Sequence, residues 1–103
     1  MQMKIKDFDE GLKKKHFVHL KKIKKNNPHY FFYLEYPAGS KSYQVHINTW
    51  RSIHPDQKYL SDNRIKDSAD ELYFEKKKDF ENFLKCTFSY DDYIDLLKNK
   101  NLL

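Results

Sequence analysis

The sequence predicts an α+β fold: a small antiparallel sheet of two or three strands with helices packed on it, in the order α-β-β-α-α. Three observations carry this. The stretch 30–50 runs as Tyr30-Phe31-Phe32-Tyr33-Leu34-Glu35-Tyr36 with strand-type composition, meets Pro37-Ala38-Gly39-Ser40, and returns as Tyr43-Gln44-Val45-His46-Ile47-Asn48-Thr49-Trp50, which is a β-hairpin pattern. The C-terminal half holds two helix-start signals, Ser68-Ala69-Asp70-Glu71 and Ser89-Tyr90-Asp91-Asp92. The length of 103 residues supports one hydrophobic core and not two, so residues 1–103 are read as a single small domain.

In chain order, Asp7 and Glu10 have capping-box spacing, and Phe8, Leu12, His16, His19/Leu20 and Ile23 then share one helical face, which predicts an amphipathic helix over 8–25. Gly11 weakens that helix by about 1 kcal/mol relative to Ala. The segment from His16 to Lys25 also reads as a strand that ends at Asn26-Asn27-Pro28 and pairs back with 30–36, which would give β-β-β-α-α. In the hairpin, pairing Leu34 with Tyr43, Phe32 with Val45 and Tyr30 with Ile47 sets apolar residues against each other on one face. The second face then carries Phe31 opposite His46, Tyr33 opposite Gln44 and Glu35 opposite Ser42, with Asn48 beyond. Residues 51–67 read as a loop, with turn chemistry at Pro55, Asp56, Ser61, Asp62 and Asn63, and His54-Pro55-Asp56 as a Pro-Asp turn after a strand. A helix opening at Ser68 aligns Leu72, Tyr73, Phe80, Phe83, Leu84 and Thr87, and a final helix after Ser89 carries Tyr93, Ile94, Leu96 and Leu97.

A mean hydropathy of −0.97 approaches that of disordered chains, but 17% aromatic residues supply enough large side chains for a core. The lone Cys86 excludes an internal disulfide, and no run of 18 apolar residues marks a membrane span, so a cytoplasmic location and no membrane contact are expected. His16 and His19 share a helical face in the helix reading but lack a second ligand pair, and no nucleophile and base stand at a telling spacing. The expectation is a protein that is not an enzyme and has no metal or cofactor.

The net charge of +5 is uneven: residues 1–60 hold 12 Lys/Arg and 5 Asp/Glu, a balance of +7, while residues 61–103 hold 8 and 10, a balance of −2. A basic half on a small domain points to a polyanion. In the helix reading Lys13, Lys14, Lys21, Lys24 and Lys25 spread over the polar face and contact phosphates. Phe31 and Tyr33 of the second hairpin face, with the His46 imidazole beside them, stack bases, and Gln44 and Asn48 reach base edges, so the expected partner is nucleic acid, single-stranded in preference to duplex. The competing expectation is that a helix covers this face and makes Phe31 and Tyr33 core. The alternative function is an accessory or inhibitor protein of phage, viral or mobile-element type that binds a protein partner; the excess of Lys over Arg fits an AT-rich coding source. The two open edges of so small a sheet lead to an expected homodimer.

Overall fold

A computed structural model describes residues 3–24, 27–53, 56–85 and 87–103, with the backbone alone over 20–24 and 27–28. Lys25 and the His54-Pro55 part of the expected turn lie outside the described residues. The elements run β1 (Met3–Lys4), α1 (Ile5–Lys14), β2 (Phe17–Lys24), β3 (Asn27–Glu35), β4 (Tyr43–Ser52), β5 (Tyr59–Leu60), α2 (Asp62–Glu71), α3 (Lys77–Leu84) and α4 (Tyr90–Asn99). The class is α+β as expected, but the order begins with a strand and is not α-β-β-α-α.

The expected helix over 8–25 is the first correction. Phe8, Gly11 and Leu12 form the buried stripe of α1, which stops at Lys14. His16 then adopts a left-handed φ of 62° that turns the chain back, and its carbonyl accepts from Glu35 N at 2.9 Å to open the ladder of β2 with β3. The competing strand reading holds from Phe17 to Lys24, because this segment pairs along β3 while alternation buries Phe17 beside Leu34. A three-stranded antiparallel sheet results, ordered β2-β3-β4, with β1 and β5 pairing separately.

The hairpin exists, but its register differs from the expected one. Glu35 pairs with Tyr43 and Leu34 with Gln44, after which the ladder jumps and Tyr33 pairs with Asn48, Phe32 with Thr49, Phe31 with Trp50 and Tyr30 with Arg51. Val45, His46 and Ile47 are thus extra residues in β4, a wide irregularity of the bulge kind. Contacts from the helices specify this register. Thr49 Oγ1 stands 2.7 Å from both Ser68 Oγ and Glu71 Oε1, and Arg51 clamps Asp9 with Nε to Oδ1 at 2.7 Å and Nη2 to Oδ2 at 2.6 Å. The turn is closed by the Glu35 carboxylate, which accepts from Gly39 N at 2.6 Å and Lys41 N at 3.2 Å, with Gly39 at a φ of 78° that a side chain would strain.

Ser68 does not open a helix. Ser61 is the N-cap of α2, accepting from Arg64 N at 3.1 Å, and Ser68 is fully buried within that helix. Tyr73, at a φ of 69°, ends the turn after α2, so the expected single helix is divided into α2 and α3. The expected start at Ser89 is present, with Ser89 and Asp92 exchanging both capping-box bonds. The core lies between the helices and one face of the sheet. Phe8 meets Phe32 edge-on at 5.6 Å, Phe83 and Tyr93 meet Phe17 at 6.2 and 6.0 Å, and α2 meets Thr49. Phe74 joins Phe80, Phe83 and Tyr93 in the same cluster. No helix among the described residues is long and apolar enough to cross a membrane.

Candidate nucleic-acid interface

Each helix reaches the sheet through Phe8, Phe17, Phe32 or Thr49, all buried on one face. Alternation turns His29, Phe31 and Tyr33 of β3 to the other face, and register adds Trp50 and Asn48 from β4 and Val18 from β2. These residues are half-buried. Phe31 and Tyr33 lie nearly parallel, with ring centroids 6.4 Å apart and planes 20° apart. His29 meets Phe31 edge-on at 5.9 Å and stacks on Trp50 at 4.4 Å and 26°. The result is a continuous run of four rings, Tyr33, Phe31, His29 and Trp50, along one sheet face.

Trp50 is also held from α2. The Arg64 guanidinium lies 3.9 Å from the indole centroid and is paired with Glu71, the carboxylate that receives the Thr49 hydroxyl. This cation–π contact fixes the indole at the edge of the sheet. With His29 stacked on the indole and Arg64 over it, Trp50 buttresses the end of the run.

The expected site residues divide. Phe31 and Tyr33 share the face as expected. Asn48 stands opposite Tyr33, with its amide nitrogen donating to Val45 O at 2.7 Å across the bulge. Gln44 is a correction: the register jump places it opposite the buried Leu34, and its amide donates to Tyr36 O at 3.3 Å. His46 is another, since it falls in the irregular stretch of β4, opposite no residue of the ring run. Its Nε2 lies 3.1 Å from Leu102 O and, facing a carbonyl, carries the proton. Lys13 and Lys14 are exposed at the end of α1, whereas Lys21 and Lys24 belong to β2, in register with Tyr30 and Asn27. The four of these lysines among the described residues therefore form no helical face.

His16 and His19 do not share a helix either: His16 packs on Tyr90 at 4.8 Å, and His19 on Tyr30 at 4.6 Å and Phe32 at 5.5 Å. The His19 pKa is lowered, first by desolvation and then by Lys13, with an opposing pull from Asp9 and a smaller lowering by Arg51. The Tyr90 hydroxyl, donating to Glu35 O at 2.7 Å, is pushed up to about 12, first by burial and then by Glu35.

Sequence reasoning missed His29 and Trp50. His29 was one alternation beyond Phe31 and Trp50 one beyond Asn48, so both could have been placed on the face; only the position of Trp50 opposite Phe31 required the register jump. Comparison with protein-family models, with curated proteins and with solved structures finds no match to the chain.

Proposed function

We propose that the protein is a small non-enzymatic binder of single-stranded nucleic acid, acting in the cytoplasm, with bases stacking on the rings Tyr33, Phe31 and His29, which Trp50 buttresses. The observation that carries this reading is the run itself: four half-buried rings in succession on the sheet face turned from the helices. Every base has a π-face, so such a run accepts bases without regard to sequence, and only unpaired bases are free to splay onto it. The charge of +5 favours a polyanion. Two stacked bases supply about 2–6 kcal/mol, which alone is a dissociation constant no tighter than about 40 μM.

Trp50 is the one tryptophan of the chain and lies in the run, so its fluorescence reports the event directly. Titration with oligothymidylate at low salt is expected to quench it. Trp50→Ala, which removes the ring that His29 stacks on, is expected to weaken binding by up to about 150-fold, the equivalent of losing one stacked base at about 3 kcal/mol, and Trp50→Phe by much less. Unchanged fluorescence together with unchanged affinity of Trp50→Ala would end the reading.

The second reading, an accessory protein that binds a protein partner, is supported by the exposed Tyr43 and Val45, at 44% and 70% exposure. Two neighbouring side chains supply little of the roughly 800 Å² per partner that a standard interface buries. Salt-tolerant capture of one protein would favour it over the first reading, whose affinity falls steeply with salt. Homodimerisation through the sheet edges belongs to either reading, and sedimentation velocity over a range of concentrations tests it.

A further inference from the structure

We propose that a lysine-lined groove beside α1 is a second site, which takes the phosphates of the strand whose bases stack on the sheet. It rests on the reading above and adds what stacking lacks, a place for the backbone charge.

The groove, of about 700 Å³, lies between α1 and the segment Gln57–Tyr59. Lys4, Lys6, Lys13 and Lys58 line it, all four exposed. Among the described residues none of their ammonium groups takes part in an ion pair. Two carboxylates also line it, but Asp9 is spent on the bidentate pair with Arg51, which leaves four lysines against Glu10. The neighbouring groove between α1 and α3 has no such excess, since Asp7, Glu10 and Glu81 balance Lys4, Lys14 and Lys85. Gln57 adds a polar atom of the opposite kind. Its Nε2 donates to Tyr59 O at 2.8 Å, which holds the side chain in the lining, and its buried Oε1 has no hydrogen-bond partner among the described residues.

Position links the groove to the ring run. Trp50 and Arg51 are consecutive in β4 and so face opposite ways; Trp50 ends the ring run and Arg51 grips Asp9, which lines the groove. The two sites thus flank the same end of one strand. Lysine ammonium groups bind phosphates as point charges, without regard to sequence, which matches the indifference of stacking.

The test uses the full chain and a short abasic oligonucleotide, which has the sugar-phosphate backbone and no bases to stack. Wild type is expected to bind it at low salt. The variant Lys6→Gln/Lys13→Gln/Lys58→Gln is expected to flatten the slope of log affinity against log salt by about 2, or about 0.7 for each of three lost contacts. A control, Lys66→Gln/Lys78→Gln/Lys98→Gln, removes equal charge from exposed positions elsewhere and is expected to leave the slope near that of wild type. No binding of the abasic probe by wild type, an unchanged slope in the groove variant, or equal flattening in the control would each overturn the groove. Quenching of Trp50 by oligothymidylate is read separately. Abasic binding lost in the groove variant but without quenching in wild type supports the groove and removes the stacking run, whereas quenching without abasic binding does the reverse.

Discussion

Thr49→Val tests the contacts that fix the register of β4. The substitution keeps shape and β-branching and deletes one hydroxyl that is fully buried. That hydroxyl has a single proton, and the Glu71 carboxylate at 2.7 Å can only accept, so Thr49 donates to Glu71 and receives the proton of Ser68, also 2.7 Å away. Valine removes a charge-assisted bond worth about 1.5–3 kcal/mol and leaves the Ser68 hydroxyl unpaired, at about 1–3 kcal/mol. Ser68 can turn back to the carbonyl four residues earlier in α2, and Glu71 keeps Arg64, so the lower part of the combined range applies, about 2.5–4 kcal/mol. At about 4–8 °C per kcal/mol for a domain of this size, the melting temperature should fall by at least about 10 °C. Urea denaturation at fixed pH measures the loss, and Thr49→Val/Ser68→Ala, which removes the orphaned hydroxyl as well, should recover about 1 kcal/mol. A loss below about 0.5 kcal/mol for the single variant, a size ordinary for substitutions at sites without such contacts, would refute the assignment of β4's register to this network.

Three further outcomes are expected. Gly11→Ala should destabilise by a net of about 1–2 kcal/mol despite its gain in helix propensity, because the added Cβ would meet Leu84 Cδ2 and the Leu84 carbonyl at 2.9 Å; a thermal melt reads the sign. His19, its pKa lowered in the fold from 6.5, makes the unfolded chain the better proton acceptor, so stability should fall as pH drops through about 6.5 and level off below the folded value. His19→Gln should lack that component when urea midpoints are compared at about pH 7.5 and about pH 5.5. Phe32→Ala, fully buried under α1, should cost about 3–5 kcal/mol, whereas Phe31→Ala should cost clearly less and act on oligonucleotide affinity; equal stability losses would make both core residues.

What was legible in the sequence is what local physics decides. Alternation and the Pro37-to-Ser40 turn mark the hairpin, and Ser89 with Asp92 marks α4, because strand period and capping act within a few residues. The segment 8–25 was ambiguous because its apolar residues satisfy both periods for part of their length. The left-handed turn at His16, which no Gly or Asn announces, divides it into α1 and β2. Ser68 misled because capping-box spacing says nothing about whether the preceding residues are already helical. They are, for Ser61 caps α2 with no acidic residue at Arg64 to complete the box. The jump at Val45, His46 and Ile47 was the least legible feature, since bonds to Ser68, Glu71 and Asp9 decide it from 19 to 42 residues away.

That jump also explains why only some of the residues expected on the second hairpin face share one side of the sheet. Before it, Leu34 pairs with Gln44; after it, Tyr33 pairs with Asn48, a shift of three residues that exchanges the faces of β4 relative to β3. Gln44 therefore leaves the ring face and Trp50 stays on it. Beyond the jump, odd positions of β4 hold the fold, with Thr49 bound to α2 and Arg51 to α1, while even positions, Asn48 and Trp50, belong to the ring face. The two roles meet at Glu71, which receives the Thr49 hydroxyl and also holds Arg64 against the Trp50 indole. One carboxylate on α2 thus fixes both the strand's register and the orientation of the ring at its edge, so stacking geometry at Trp50 is set by the same interaction that aligns the sheet with its helices.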